Sequence, residues 1–93
     1  MDNFRGFLKD GTAALIITEV NRRYLTGFSS SLGYLFITKN GAELFTDGRY
    51  LLAAKQSVKN AKVTLLSKLS EQLTECVREN GIETVLLENA ITI

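Results

Sequence analysis

"GYLFITKNGAELFTDGRY", residues 33–50, carries the clearest structural signal in the chain. Two apolar runs rich in β-branched and aromatic residues, 33–39 and 42–47, flank Asn40-Gly41. Asn-Gly between such runs is the strongest short hairpin signal, because a type I′ turn takes positive φ at both central positions. An antiparallel pair turning at Asn40 and Gly41 is therefore expected. The second run stops at Asp47-Gly48, a turn dipeptide, and Arg49 and Tyr50 follow at once. Asp47 is placed to cap a helix over 49–60, in which Leu51, Leu52, Ala54 and Val58 fall near helical spacing.

Upstream, "AALIIT" (13–18) is a continuous apolar run, which reads as a strand buried on both faces. "EVNRRYLTGF" (19–28) does not alternate; Asn21 suits an N-cap and Gly27 a C′ position, so a single helical turn is expected. "NFRGFLK" (3–9) predicts a short helix weakened by Gly6, and Asp10-Gly11 breaks it. Downstream, "KVTLLS" (62–67) and "TVLLE" (84–88) read as strands. Between them "SEQLTECVRENG" (70–81) predicts a helix with Ser70 as N-cap, Gly81 at C′, and Leu73, Cys76 and Val77 on one stripe. Strands, a hairpin and intervening helices in this order imply an α/β fold. Its mixed sheet has about five strands, hairpin included, and is flanked by helices.

The 93 residues hold no proline, repeat or low-complexity segment, so one domain over 1–93 is expected. The net charge is +1 and the densest basic pair, Arg22-Arg23, is expected to be solvated. Neither nucleic acid nor a membrane surface is favoured as a partner. No apolar stretch approaches the roughly 18–20 residues that span a bilayer, and "MDNFRGFLKDG" lacks a signal-peptide core. Cys76 is the only cysteine, which excludes an internal disulfide and fits a reducing cytoplasm. On its helical stripe it reads as an inert buried thiol, with Glu75 and Glu79 raising its pKa. Histidine is absent, so Ser-His-Asp and Cys-His catalysis and His-based zinc sites cannot be built. The acidic residues are spread singly and no metal ligand set is read; Ser29, Ser30 and Ser31 have no base and read as a flexible loop.

Two boxes give a resemblance when taken together. "RYLTGF" (23–28) and "TDGRY" (46–50), within "NRRYLTGFSSSLGYLFITKNGAELFTDGRYLLAAKQ" (21–56), resemble the amino-terminal domain of the Xaa-Pro peptidases: aminopeptidase P, prolidase and their relative creatinase. "AALIIT" and "TVLLE" fall where that domain has strands, so the likeness covers about residues 12–90. The resemblance implies a non-catalytic domain that mediates oligomerisation and shapes substrate access. The chemistry would belong to a carboxy-terminal catalytic domain holding a divalent metal pair (Mn, Co or Zn). Nothing in this sequence matches that domain, so no catalytic residue, metal ligand or cofactor is expected in this chain. A further helix and strand usually follow the equivalent of "LLENAITI", so the domain is expected to be truncated at its C-terminal end. The implied partners are the protein's own catalytic domain and neighbouring subunits of a homo-oligomer, with peptide substrate met indirectly. One departure is the loop after Phe28, commonly Thr-Gly-Ser-Ala-Gly in the family and Ser29-Ser30-Ser31-Leu32-Gly33 here. The alternative is a free-standing α/β binding or regulatory module that has lost the peptidase domain.

For "DGRY" two readings stay open. In the structural one, Asp47 caps, Gly48 turns, Arg49 is solvated and Tyr50 packs. In the one the resemblance implies, Arg49 points outward and meets a substrate carboxylate in a neighbouring subunit, a task that suits the guanidinium fork. Phe28 is the second candidate for the substrate side, against burial under the hairpin. Tyr24 and Leu25 are expected in the core, and Asn21, Tyr24, Gly27, Asp47, Gly48 and Tyr50 form the structural motif.

Overall fold

Ala13, Ala14, Leu15 and Ile16 are all buried, and the sheet is built around them. The computed structural model describes the backbone of residues 2–90 and the side chains of residues 4–89. The strands are β1 (Thr12–Ile16), β2 (Gly33–Thr38), β3 (Gly41–Thr46), β4 (Lys62–Leu65) and β5 (Thr84–Leu87). The helices are α1 (Asp2–Arg5), α2 (Glu19–Thr26), α3 (Leu51–Ser57) and α4 (Leu69–Asn80), with a last 3-10 turn at Glu88–Ala90. The sheet runs β4-β3-β2-β1-β5. β2 is antiparallel to both of its neighbours, β1 and β3, while β4 lies parallel to β3 and β5 parallel to β1. The expected α/β fold with a mixed five-stranded sheet is thus what the chain forms.

Alternation along the strands sorts the core into two layers. Ala14, Ile16, Leu35, Ile37 and Leu44 face Leu25 of α2 and Ala54 and Val58 at α3. Ala13, Phe36 and Phe45 face the other way, onto Cys76, Leu73 and Val77 of α4. With α2 and α3 against one face of the sheet and α4 against the other, β1 has no solvent face, hence its unbroken apolar run.

Several local expectations are corrected. The helix after β1 has eight residues, and Thr18 is its N-cap, its hydroxyl accepting from the amide of Asn21 at 3.4 Å; Asn21 is not the cap. Gly27 closes it with φ 76°, as expected. Tyr24 is 76% exposed rather than in the core, because α2 turns Leu25 and Arg22 inward and leaves Val20 and Tyr24, one turn apart, on its outer side. The hairpin forms, but its loop is Lys39-Asn40, with Gly41 already paired to Thr38. Neither Asn40 nor Gly41 has positive φ, so the turn is not type I′. The Thr38 hydroxyl instead accepts from the amides of Asn40 (3.3 Å) and Gly41 (3.2 Å), a local side-chain turn that moves the loop one residue back. α4 starts at Leu69, so Ser70 is inside it and not its cap. Gln72 reaches back to the Ser67 amide (3.0 Å) and the Leu65 carbonyl (2.8 Å) instead. Gly81 ends α4 in the left-handed conformation, as expected. The expected C-terminal truncation lies outside the described residues.

Candidate functional site

At the end of the hairpin away from its turn, β3 stops at Thr46 and the chain folds sharply through Asp47-Gly48. Asp47 does not cap α3: that helix begins at Leu51 with Tyr50 at its N-cap position and no side-chain cap. The carboxylate of Asp47 closes on its own neighbour. It accepts from the Arg49 amide (3.1 Å) and, through its second oxygen, from Arg49 Nε (3.2 Å) and Nη2 (2.8 Å). The hydrogen bond from Arg49 holds the Asp47 carboxyl below its usual range, and the same bond raises the Arg49 pKa. The Arg49 side chain nevertheless faces solvent, being 70% exposed, while that of Asp47 is half-buried.

Tyr50 forms the floor of this corner. The Arg49 guanidinium lies 5.3 Å from its ring centre, within cation–π range. Phe28 meets the same ring edge-on, with centroids 6.4 Å apart, while also packing against the core. Across the gap the Ser31 hydroxyl stands 3.3 Å from the Tyr50 hydroxyl. Phe28, Asp47, Gly48, Arg49 and Tyr50 are therefore brought together. Asn40 and Gly41 lie at the opposite end of the hairpin, and Tyr24 points away on the outer side of α2. Chemically the corner is a fixed, solvent-facing guanidinium on an aromatic shelf, suited to binding a carboxylate.

Two polar residues that sequence reasoning missed, Arg22 and Ser30, lie behind this corner, and a third, Glu88, holds the start of α2. Arg22 is not a solvated partner of Arg23: it is only 3% exposed, and it donates to the Ile17 carbonyl (2.9 Å) and the Ser30 hydroxyl (2.9 Å). Burial lowers its pKa, against the opposing pull of Glu19 and Glu88. Ser30, expected in a loose loop, is buried with it. Glu88, just past β5, accepts from the amides of Ile17 and Thr18 (2.8 Å for Thr18), from the Thr18 hydroxyl and from the Asn21 amide group. It caps α2 from 70 residues away. Burial opposes its ionisation, but these donors outweigh that and push its pKa down to about 2. Helical spacing from Leu25 would have flagged Arg22 as inward-facing; nothing local flags Glu88.

Elsewhere, Cys76 is buried as expected. Its pKa is pushed up to about 12, first by burial and then by Glu43, with Glu79 adding to the effect. The thiol faces a shallow cavity of about 230 Å³ beside Glu43 and Lys62. Among the described residues no three His, Cys, Asp or Glu side chains gather where they could hold a metal, so the donor set does not fit a two-metal centre. No described helix is long and apolar enough to cross a membrane.

Known proteins share this architecture. An aminopeptidase P, an Xaa-Pro aminopeptidase from Streptococcus thermophilus, superposes with a TM-score of 0.79 at 31% identity, over 98% of this chain and 69% of that one. The N-terminal domain of the cytoplasmic peptidase PepQ from Mycobacterium tuberculosis H37Rv superposes with a TM-score of 0.71 at 31% identity, over 87% and 64% of the two chains. In sequence, a protein described as an Xaa-Pro aminopeptidase in Mycoplasma genitalium is 41% identical over 76 residues, 82% of this chain. The chain spans 22% of the length of that relative. The pattern of the creatinase/prolidase N-terminal domain matches residues 8–92, from the end of the first helical turn to beyond β5. With this fold, these boxes and that match over nearly its whole length, the chain belongs to the creatinase/prolidase N-terminal domain family of the Xaa-Pro peptidases.

Proposed function

We propose that this chain is the non-catalytic N-terminal domain of a proline-specific metallopeptidase of the aminopeptidase P or prolidase kind. It mediates oligomerisation and shapes the access of short peptides to a catalytic domain in a neighbouring subunit. Arg49 is the residue that meets substrate, by offering its guanidinium to a peptide carboxylate across the subunit boundary, with Phe28 and Tyr50 as the apolar wall. The observation that carries this reading is the corner itself. A guanidinium held at 2.8 Å by Asp47 over an aromatic ring, yet open to solvent, is already ordered for a charge-assisted contact. The divalent metal pair belongs to the catalytic domain, and the protein works in the cytoplasm.

The test is kinetic. In an assembled peptidase carrying this domain, Arg49→Ala raises KM or lowers kcat/KM for substrates with a nearby free carboxylate, by roughly 10- to 150-fold. The isolated 93-residue chain does not hydrolyse Xaa-Pro peptides with added Mn²⁺, Co²⁺ or Zn²⁺, and it self-associates in light scattering. Wild-type kinetics in the Arg49→Ala enzyme would remove the substrate role. Metal-dependent turnover by the isolated chain would overturn the non-catalytic assignment.

A further inference from the structure

Arg22 is the one charged residue among those described that the fold buries outright. Its two hydrogen-bond partners are neutral, a carbonyl and a hydroxyl. Taking a guanidinium out of water against neutral partners is unfavourable, is offset only in part by the longer-range pull of Glu19 and Glu88, and imposes a geometry on what surrounds it. What it imposes is the course of the loop from α2 to β2. Ser30 is fixed by Arg22 Nη1. The Ser31 hydroxyl reaches the Tyr50 hydroxyl, and the Leu32 carbonyl accepts from the Thr46 hydroxyl at 3.4 Å. Gly33 passes so close that a Cβ there would lie 2.7 Å from Arg22 Nη1 and 3.0 Å from the Phe45 carbonyl. Four consecutive residues are thus held from α2, from the start of α3 and from β3, and the second of them touches the shelf under Arg49.

We infer that Arg22 is a positioning residue for the Arg49 corner: through Ser30 it sets the height of the loop, and through Ser31 it holds the Tyr50 ring beneath the Arg49 guanidinium. This rests on the proposed carboxylate-binding role of that corner. Arg22 touches no substrate. It acts only by fixing where the aromatic shelf stands, so it governs how well Arg49 presents its fork. Lysine cannot replace it, because a single ammonium lacks the planar fork that reaches the Ile17 carbonyl and Ser30 together.

The experiment uses the 93-residue chain labelled with 3-fluorotyrosine, whose three resonances (Tyr24, Tyr34, Tyr50) are assigned by Phe substitution. In Ser30→Ala and in Arg22→Lys the Tyr50 fluorine signal shifts or broadens. Tyr24, on the outer side of the same helix as Arg22, keeps its position. The double variant moves Tyr50 no further than the larger single change, because both cut one bond. A second arm uses an assembled peptidase carrying this domain: Ser30→Ala raises KM for substrates with a nearby free carboxylate roughly fivefold. Ser30→Ala removes one oxygen and keeps the readout available should Arg22→Lys not fold. An unmoved Tyr50 signal in folded Ser30→Ala, or equal changes at all three tyrosines, overturns the inference. If Tyr50 moves as expected but that KM is unchanged in both Ser30→Ala and Arg49→Ala, the positioning role stands and the carboxylate reading of Arg49 fails.

Discussion

Two arginines in this chain solve opposite problems. Arg22 is packed inside, under the loop before β2, and its partners are a backbone carbonyl and a serine. Arg49 stands outside, tied to the carboxylate of a residue two positions earlier. The buried one has the weaker formal partners and the larger structural consequence. The exposed one has the ideal ionic partner, and the surrounding water screens it. Burial, and not the presence of an opposite charge, therefore decides which arginine the fold depends on.

The largest loss is expected from Arg22→Ala. It removes a buried stem, opens a cavity, and leaves the Ile17 carbonyl and the Ser30 hydroxyl without their donor. The expected loss is about 2–4 kcal/mol in chemical denaturation. A loss no larger than that of an ordinary surface substitution would mean that water replaces the guanidinium, and the contrast with Arg49 would collapse.

Glu88 lies between these extremes, a carboxylate that is only half-buried yet richly bonded. Its folded pKa, about 2, lies below the ordinary 4.5. The stability it contributes is therefore fully present above about pH 5 and is lost as the pH falls towards about 2. Glu88→Gln turns an amide NH₂ toward a set of donors. Allowing for solvent screening, it should cost on the order of 1–2 kcal/mol near neutral pH. It should also flatten the acid limb of the stability profile. An unchanged acid limb would show that the cap on α2 is not held by this carboxylate.

These residues also mark where sequence stops being informative. The hairpin, the α/β order and the left-handed glycines at 27 and 81 follow from patterns a few residues long, so they were legible. Arg22 and Arg23 look like one basic pair in the sequence. A helix, however, turns about 100° per residue, so neighbours point to different surroundings. Asp47 fitted a helix cap by type and place, but the competing partner, Arg49, was nearer than the helix. Glu88 meets Thr18 only because β5 lies parallel to β1 in a fixed register, a pairing that no local pattern encodes. Of the candidate site, the cluster Phe28, Asp47, Arg49 and Tyr50 was readable from the family boxes, while the support beneath it was not.

The hairpin turn gives a smaller and oppositely signed test. A type I′ turn would make Gly41→Val costly, because a β-branched residue strains at positive φ. Here Gly41 has no positive φ, and a Cβ on it would have no heavy atom within 4 Å. Valine should then favour the strand that Gly41 begins, raising stability by about 0.5–1 kcal/mol. A clear loss of stability would restore the type I′ geometry and with it the positive φ.

The smallest expected effect belongs to Arg49. Its Nε and Nη2 bonds, 3.2 and 2.8 Å, both end on one Asp47 oxygen, its own side chain faces water, and the helix that follows takes no side-chain cap. The Asp47 carboxylate keeps its bond to the Arg49 amide when the side chain is gone, so the turn keeps its local closure. Arg49→Ala should therefore leave the denaturation midpoint of the chain within experimental error at any salt concentration. A large loss would make Arg49 a structural residue like Arg22. An unchanged midpoint, together with impaired kinetics in an assembled peptidase, would assign to this corner a task outside the domain: the arginine would be kept for what it meets, not for what it holds.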